Sequence, residues 1–177
     1  MYSLVQVTSG DDFATKVFGE GLPTTSEEVF YLKTSMTDSK TWDYLSYTAH
    51  PQYKYDGVNT VCKTGYYTHY TDLNNPVIKN WDERDLRRSL NIAHYAFSAS
   101  TYGENTCLLL KYRAPNASGS KAQIDIPLLR YTDVLLTYAE ACARTGEMSN
   151  AVNALNQIKR RAYGADPMVA NPELDYK

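Results

Sequence analysis

Residues 124–164 read IDIPLLRYTDVLLTYAEACARTGEMSNAVNALNQIKRRAYG, and this stretch decides the fold. Pro127 stands where the first residue of a helix is expected. Apolar side chains then recur at steps of three and four, in two adjacent stripes: Leu128, Tyr131, Leu135, Tyr138 and Cys142, with Leu129, Leu136, Ala139 and Ala143 beside them. So wide an apolar arc predicts a helix buried on more than one side, which ends at Gly146.

A second helix is predicted from about Ser149 to Ala162, with Gly164 as its stop. Its inward face would hold Met148, Val152, Leu155, Ile158 and Ala162, and its outward face Asn153, Asn156 and Arg160. Residues 127–164 therefore form a helical hairpin. The small residues Ala139 and Ala151 match the spacing of a tetratricopeptide-like unit. A single such unit cannot bury its own apolar face, so it must pack on other material.

Residues 76–126 form a connecting region of mixed type. Residues 81–95 open with a run of charges that predicts an ion-paired helix start rather than a metal site. Residues 106–113, TCLLLKYR, form a compact apolar run that predicts a buried strand or extended segment. The turn-rich residues 114–123 are expected to be a surface loop.

Residues 1–75 are irregular, apart from a short strand predicted within residues 27–35, EEVFYLKTS. The chain has 16 tyrosines but only four phenylalanines and two tryptophans, and tyrosine suits partly wet recognition surfaces. One long loop holds seven of these tyrosines behind a tryptophan. The candidate ligand-binding residues are Trp42, Tyr44, Tyr47, Tyr53, Tyr55, Tyr66, Tyr67 and Tyr70, with the first three preferred. The alternative for several of them is that the rings attach the loop to the scaffold.

The overall composition excludes several classes of protein. The 177 residues carry a net charge of −2, which argues against a nucleic-acid binder with a broad basic face. No apolar stretch is long enough to span a membrane, and the first residues lack the pattern of a signal peptide. The three cysteines and three histidines show no metal-ligand spacing, and no nucleophile or phosphate-loop motif is present. We therefore expect a binding protein, with no cofactor, metal or catalytic residue.

The helical stretch closely resembles the hallmark segment of the SusD/RagB family, "IPxxRYAEVLLxYAEA" followed by "A...LNxVRxRAG". Here Thr132 and Asp133 replace the usual Ala and Glu. Upstream, Asp85-Leu86-Arg87 resembles the family's "DPR" element, residues 110–113 its "KY" segment and residues 26–35 its "NEVIF" strand. The order and spacing agree from about residue 20 to 166.

The resemblance implies a mainly α-helical SusD-like fold, with a tetratricopeptide-like hairpin, long irregular loops and a few short strands. Family members are much longer, so we expect residues 1–177 to be a single partial domain, without the family's lipid-attachment cysteine and C-terminal segment. The family's function implies binding of oligosaccharides, or peptides in some members. The complete protein would be a lipid-anchored outer-membrane lipoprotein of the bacterial cell surface, as in Bacteroidetes polysaccharide utilisation, and its partner a SusC-type TonB-dependent transporter.

Two alternatives from other classes stay open. The hairpin could belong to a tetratricopeptide-like scaffold for protein–protein interaction, which further copies of the repeat in flanking sequence would favour. The chain could also be an accessory part of a glycoside hydrolase, although nothing in the sequence nominates a pair of catalytic carboxylates.

Overall fold

The computed structural model describes residues 1–37, 48, 50–61, 70–117 and 121–177. The helices in this part are α1 (Gly10–Lys16), α2 (Pro76–Lys79), α3 (Leu86–Asn91), α4 (Tyr131–Thr145) and α5 (Met148–Ala162). The strands are β1 (Glu28–Leu32), β2 (Thr71–Asp72), β3 (Ile92–His94), β4 (Thr106–Leu109) and β5 (Ile126–Arg130). Helices with a few short strands confirm the broad prediction, whereas the tetratricopeptide-like character stays a prediction. None of the described helices combines the length and apolarity that crossing a membrane would require.

The predicted helical hairpin is present as α4 and α5, which only Gly146 and Glu147 separate. Gly146 has φ of 86°, a left-handed conformation that glycine adopts without steric cost, and it ends α4 as predicted. The seam between the helices is a core cluster that also includes an N-terminal residue: Leu4, Leu135, Ala139, Ala154 and Ile158. The small side chains at 139 and 154 allow the two helices to approach closely.

The predicted start of the first hairpin helix at Pro127 is wrong. Residues 126–130 are the strand β5, in which Pro127 lies opposite Tyr31 and Leu129 opposite Phe30 of β1. The helix begins at Tyr131, and the Asp133 carboxylate accepts a hydrogen bond of 2.8 Å from the backbone N–H of Arg130. Pairing with β1 therefore takes the residues before Tyr131 into a sheet, and Asp133 caps the helix that follows.

The prediction that this helix is buried on more than one side is also wrong for the described structure. Leu135, Ala139 and Cys142 are buried, but Leu136 and Tyr138 are 44% and 48% exposed. The reason is that α5 and the N-terminal segment cover only one face of α4. The described residues therefore leave Tyr138 of the first stripe and Leu129, Leu136 and Ala143 of the second exposed.

The predicted faces of α5 are wrong at three positions. Met148, expected inside, is exposed, whereas Asn156 and Arg160, expected outside, are buried. The segment after α5 folds back over this side, where Arg160 donates hydrogen bonds of 2.7 and 2.6 Å to the two carboxylate oxygens of Asp175. The Asn156 side chain also bonds the backbone of Tyr176 in both directions. Asn156 and Arg160 therefore make polar contacts with this C-terminal segment where the prediction placed solvent.

Besides the β1–β5 pair, the described strands form a small antiparallel sheet with the order β2-β4-β3. Its central strand β4 places Thr106, Cys107 and Leu108 out of contact with solvent, which confirms the buried extended segment predicted within residues 106–113. Beyond it, Leu110 and Ala114 join a core cluster with Val61 and Ile124. Arg113, which lies between Leu110 and Ala114 in the chain, lines the cavity described below.

The strand predicted within residues 27–35 is β1. A buried ion pair joins Glu27, in the turn just before this strand, to the hairpin. The Glu27 carboxylate is fully buried and accepts hydrogen bonds from Arg161 Nη1, from Thr132 Oγ1 at 3.1 Å and from the backbone N–H of Val5 at 2.9 Å. Arg161 also donates to Thr132 Oγ1 at 2.9 Å. Burial lowers the pKa of the Arg161 guanidinium, and the Glu27 charge opposes that effect. The pair connects an N-terminal segment with both helices of the hairpin.

The charged residues before α3 are ion-paired at a helix start, as predicted. Asp85 caps the helix by accepting from the backbone N–H of Arg87 at 2.9 Å, and it also binds the Arg87 side chain at 2.6 Å. Asp82 pairs with Arg84 at 2.8 Å. These carboxylates are therefore already matched with guanidinium groups.

Candidate functional site

A cavity of about 440 Å³ lies where α1, residues 19–20, the turn at residues 55–56 and residues 113–116 meet. Its volume falls within the usual range for small-molecule sites. The lining combines one aromatic ring, one guanidinium and three carboxylates with small apolar groups. The lining residues are Asp11, Ala14, Thr15, Gly19, Glu20, Tyr55, Asp56, Arg113, Pro115 and Asn116.

Arg113 is the buried cation of this cavity, with only 6% of its surface exposed. Its Nη1 donates to Oδ1 of Asp11, a residue whose side chain is 73% exposed. Its guanidinium carbon lies 4.7 Å from the centroid of the Tyr55 ring, a cation–π contact. Its Nε is buried, and no described residue accepts a hydrogen bond from it. A buried donor of this kind is costly to leave unpaired, and because it is shielded from solvent a ligand in the cavity does not reach it.

The backbone around Arg113 fixes its position. Arg113 forms a bridge with Gly19, and the N–H of Ala114 donates to the carbonyl of Val61 at 2.7 Å. A Cβ added to Gly19 would lie 2.8 Å from the carbonyl oxygen of Ala14, so a side chain there would not fit without a backbone shift. The close approach of residue 19 to the end of α1 thus depends on a glycine at this position.

Tyr55 is held in the cavity wall by a tight turn. The carboxylate of Asp56 accepts hydrogen bonds from the backbone N–H groups of Val58 at 2.9 Å and Asn59 at 2.6 Å. Gly57, between them, has φ of 81°. These donors, led by the backbone N–H of Asn59, lower the pKa of Asp56 to about 2, so this carboxylate stays charged at physiological pH. Burial raises the pKa of the Tyr55 hydroxyl, which therefore remains protonated.

The charges that line the cavity do not balance. Asp11, Glu20 and Asp56 supply three carboxylates, whereas Arg113 is the only cation among the lining residues. Oε2 of Glu20 accepts a hydrogen bond of 3.0 Å from the backbone N–H of Asn116, which connects two of the segments that line the cavity. The site thus offers more hydrogen-bond acceptors than charged donors.

A cluster of aromatic rings that does not line this cavity is formed by His50, Tyr53, Tyr70, Tyr95 and Phe97. The His50 ring packs 4.8 Å from both Tyr95 and Phe97, centroid to centroid. Tyr53 meets Tyr95 and Tyr70 meets Phe97, each at 5.5 Å and with one ring edge towards the other. Tyr53 and Tyr55 both pack against the core cluster around Val61. For Tyr53, attachment of the loop to the scaffold therefore describes the observed contacts.

The structure distributes the predicted site residues unevenly. Tyr55 lines the cavity, while Tyr53 and Tyr70 belong to the aromatic group just described. Trp42, Tyr44, Tyr47, Tyr66 and Tyr67 lie outside the described residues. Sequence reasoning missed Asp11, Glu20 and Arg113, because their positions 11, 20 and 113 carry no motif that connects them. The ligand-binding role of the eight aromatic residues stays a prediction.

Two further cavities have less suitable linings. One, of about 250 Å³, is lined by Arg87, Arg130 and Arg161 among others, but these cations are paired with Asp85 or Glu27. The other, of about 480 Å³, lies between the start of α5 and residues 176–177 and contains no carboxylate side chain. Among the described residues, no group of three or more His, Cys, Asp or Glu side chains could hold a metal ion.

Comparisons with known proteins find a family model that matches part of the chain and solved structures that share its fold. The model of the SusD family matches residues 98–173, which confirms the resemblance seen in the hairpin and in the segment before it. Among solved structures, NanU of B. fragilis superposes with a TM-score of 0.58 and 23% identity over 92% of this chain. A SusD-like protein from Bacteroides fragilis NCTC 9343 superposes with a TM-score of 0.53 and 17% identity over 97% of this chain. No curated protein matches.

The chain corresponds to less than half of each solved structure. At such identities the two structures establish a shared fold alone, and the chain spans only 35% and 42% of their respective lengths. The motifs upstream of residue 98, such as Asp85-Leu86-Arg87, lie outside the family match.

Proposed function

We propose that this chain, a partial member of the SusD/RagB family, is the part of a nutrient-binding protein that holds an oligosaccharide at the bacterial cell surface. The complete protein would be attached to the outer membrane by a lipid and would pass its ligand to a SusC-type TonB-dependent transporter. The proposal is one of binding and not of catalysis, and it concerns a single partial SusD-like domain over residues 1–177.

One observation carries the proposal: a chain with the SusD-family segment has a cavity in which Tyr55, Arg113 and carboxylates converge. Sugar rings present patches of C–H groups that pack on aromatic faces, and their hydroxyl groups need planar polar partners. The cavity supplies both kinds of group within one wall. Trp42 and the tyrosines at 44, 47, 66 and 67 would add further aromatic surface.

A glycan array tests the proposal. The purified protein should retain a subset of oligosaccharides, and Tyr55→Ala should weaken that retention about tenfold, since loss of an aromatic platform is worth roughly 1–2 kcal/mol. Tyr102→Ala is the matched control, because Tyr102 is 40% exposed and does not line the cavity. Its binding should equal that of the unmodified protein. Retention of no glycan, or an equal loss in both variants, would contradict the proposal.

The transfer step needs a separate measurement. We expect the complete protein to co-purify from bacterial outer membranes with a TonB-dependent transporter. Isolation of the complete protein without any such transporter, from cells that import the glycan, would contradict the proposed partner while leaving glycan binding in place.

A further inference from the structure

We infer that the Tyr55–Arg113 cavity selects neutral or amino sugars and rejects sugars that carry carboxylate groups. The inference rests on the proposed function and names the class of glycan that the cavity would accept. Three observations carry it: the three carboxylates of the lining, the pairing of Arg113 with Asp11, and the burial of the Arg113 guanidinium against the Tyr55 ring.

The first step concerns charge. Glu20 and Asp56 line the cavity, and neither forms an ion pair with any described residue, whereas the one lining cation is already paired. A second negative charge brought by a ligand would therefore meet an excess of like charge. Over distances of less than about 10 Å such repulsion persists at low salt and is screened as the ionic strength rises.

The second step concerns hydrogen bonding. An ionised carboxylate only accepts, so it pairs with a sugar hydroxyl or with the ammonium group of an amino sugar. A sugar carboxylate brings no donor to these positions. Asp11 and Glu20 each have one oxygen occupied by a described partner, Arg113 and the Asn116 N–H, respectively. Their other oxygens fit ligands rich in donors.

The third step explains why a buried arginine does not make this an anion site. The charge of Arg113 is matched by Asp11 through Nη1, and its Nε is shielded from solvent. A ligand in the cavity therefore cannot reach the Nε. Because Arg113 is 94% buried and also contacts the Tyr55 ring, its guanidinium is not available as a two-pronged clamp for a carboxylate.

The test uses oligosaccharides that differ in charge but share a backbone. Three β-1,4-linked trimers form the main set: cellotriose, the glucosamine trimer and the glucuronic acid trimer. Mannotriose with the mannuronic acid trimer, and an α-1,4-galactose trimer with trigalacturonic acid, extend it to other linkages. In titration calorimetry at low salt, we expect each acidic trimer to bind at least about tenfold more weakly than its neutral counterpart. The difference should narrow in about 0.5 M NaCl, where the Debye length is shorter.

Two variants that each remove one carboxylate charge test whether this selectivity comes from the cavity. Glu20→Gln removes one charge, while the amide oxygen still accepts from the Asn116 N–H. It should reduce the preference for neutral over acidic trimers about threefold or more. Glu173→Gln removes an equal charge outside the cavity lining and should leave the preference unchanged.

The outcomes separate this inference from the proposed function. Acidic trimers that bind as tightly as the neutral ones, or a preference that Glu20→Gln does not change, would overturn the inference while glycan binding stands. Failure of every trimer and of every glycan on the array would overturn both.

Discussion

Truncation of Glu27 tests the buried ion pair that joins β1 to the helical hairpin. Glu27→Ala removes a fully buried carboxylate that binds Arg161, Thr132 and the backbone of Val5. Arg161 is 4% exposed and would remain inside the protein, with Thr132 Oγ1 as the hydrogen-bond partner left to it among the described residues of this network. An uncompensated buried charge is the main cost of such a change.

The expected loss follows from this burial. Removal of one partner from a buried ion pair lowers the free energy of unfolding by about 3–5 kcal/mol. With a urea dependence of about 2 kcal/mol per molar, the unfolding midpoint would fall by about 1.5–2.5 M. Because domains are stable by only about 5–15 kcal/mol, this single change would remove a large share of the total.

Urea unfolding followed by circular dichroism measures this loss. Glu140→Ala is the control, because Glu140 forms an exposed pair with Arg144 at 2.6 Å that is worth about 0.3–0.5 kcal/mol. The double variant Glu27→Leu, Arg161→Met should recover most of the stability, since apolar residues replace both charges. A loss below about 1 kcal/mol for Glu27→Ala, or one no larger than that of the control, would refute this reasoning.

Three further predictions concern other parts of the chain. Gly10→Ala should lower the free energy of unfolding by about 1–3 kcal/mol, because the new Cβ would collide with the Ser89 hydroxyl and lie 2.8 Å from the backbone nitrogen of Leu90; an unchanged urea midpoint would contradict this. Burial lowers the pKa of His50, so the stability that its neutral form contributes is complete above the unfolded-state pKa of about 6.5 and is lost as the pH falls through the lower folded-state value. Between pH 8 and 5 the urea midpoint of His50→Phe should therefore fall less steeply than that of the unmodified protein. Equal slopes for the two proteins would contradict this prediction. Trp42→Ala should weaken glycan retention with little change in melting temperature, and unchanged binding across the array would remove Trp42 from the site.

Local sequence patterns predicted the elements whose partners lie close in the chain. Leu135 and Cys142 of the first predicted stripe and Ala139 of the second are buried, and Gly146 ends α4 with a positive φ, because helix period and capping depend on residues within a few turns. The buried run that contains Leu108 is equally local.

Long-range contacts explain where the sequence-based predictions were wrong. Pro127 lies in a strand because β1, about 100 residues earlier, pairs with it. Arg160 is inside because Asp175 of the C-terminal segment reaches it. The periodicity of a helix contains no signal for either partner.

The candidate site shows the same division. The excess of tyrosine predicted an aromatic recognition surface, and Tyr55 does line a cavity. Its partners Asp11 and Arg113 are separated by about 100 positions, and no spacing rule connects them. The charge of the cavity could therefore be read only from the folded chain.

A crystal structure of the protein with the tightest-binding glycan of the array tests the central claim most directly. We predict a sugar ring against Tyr55 and one of its hydroxyl groups on the carboxylate of Asp11 or Glu20. A glycan bound at full occupancy elsewhere on the protein, with no contact to Tyr55 or Arg113, would contradict the account.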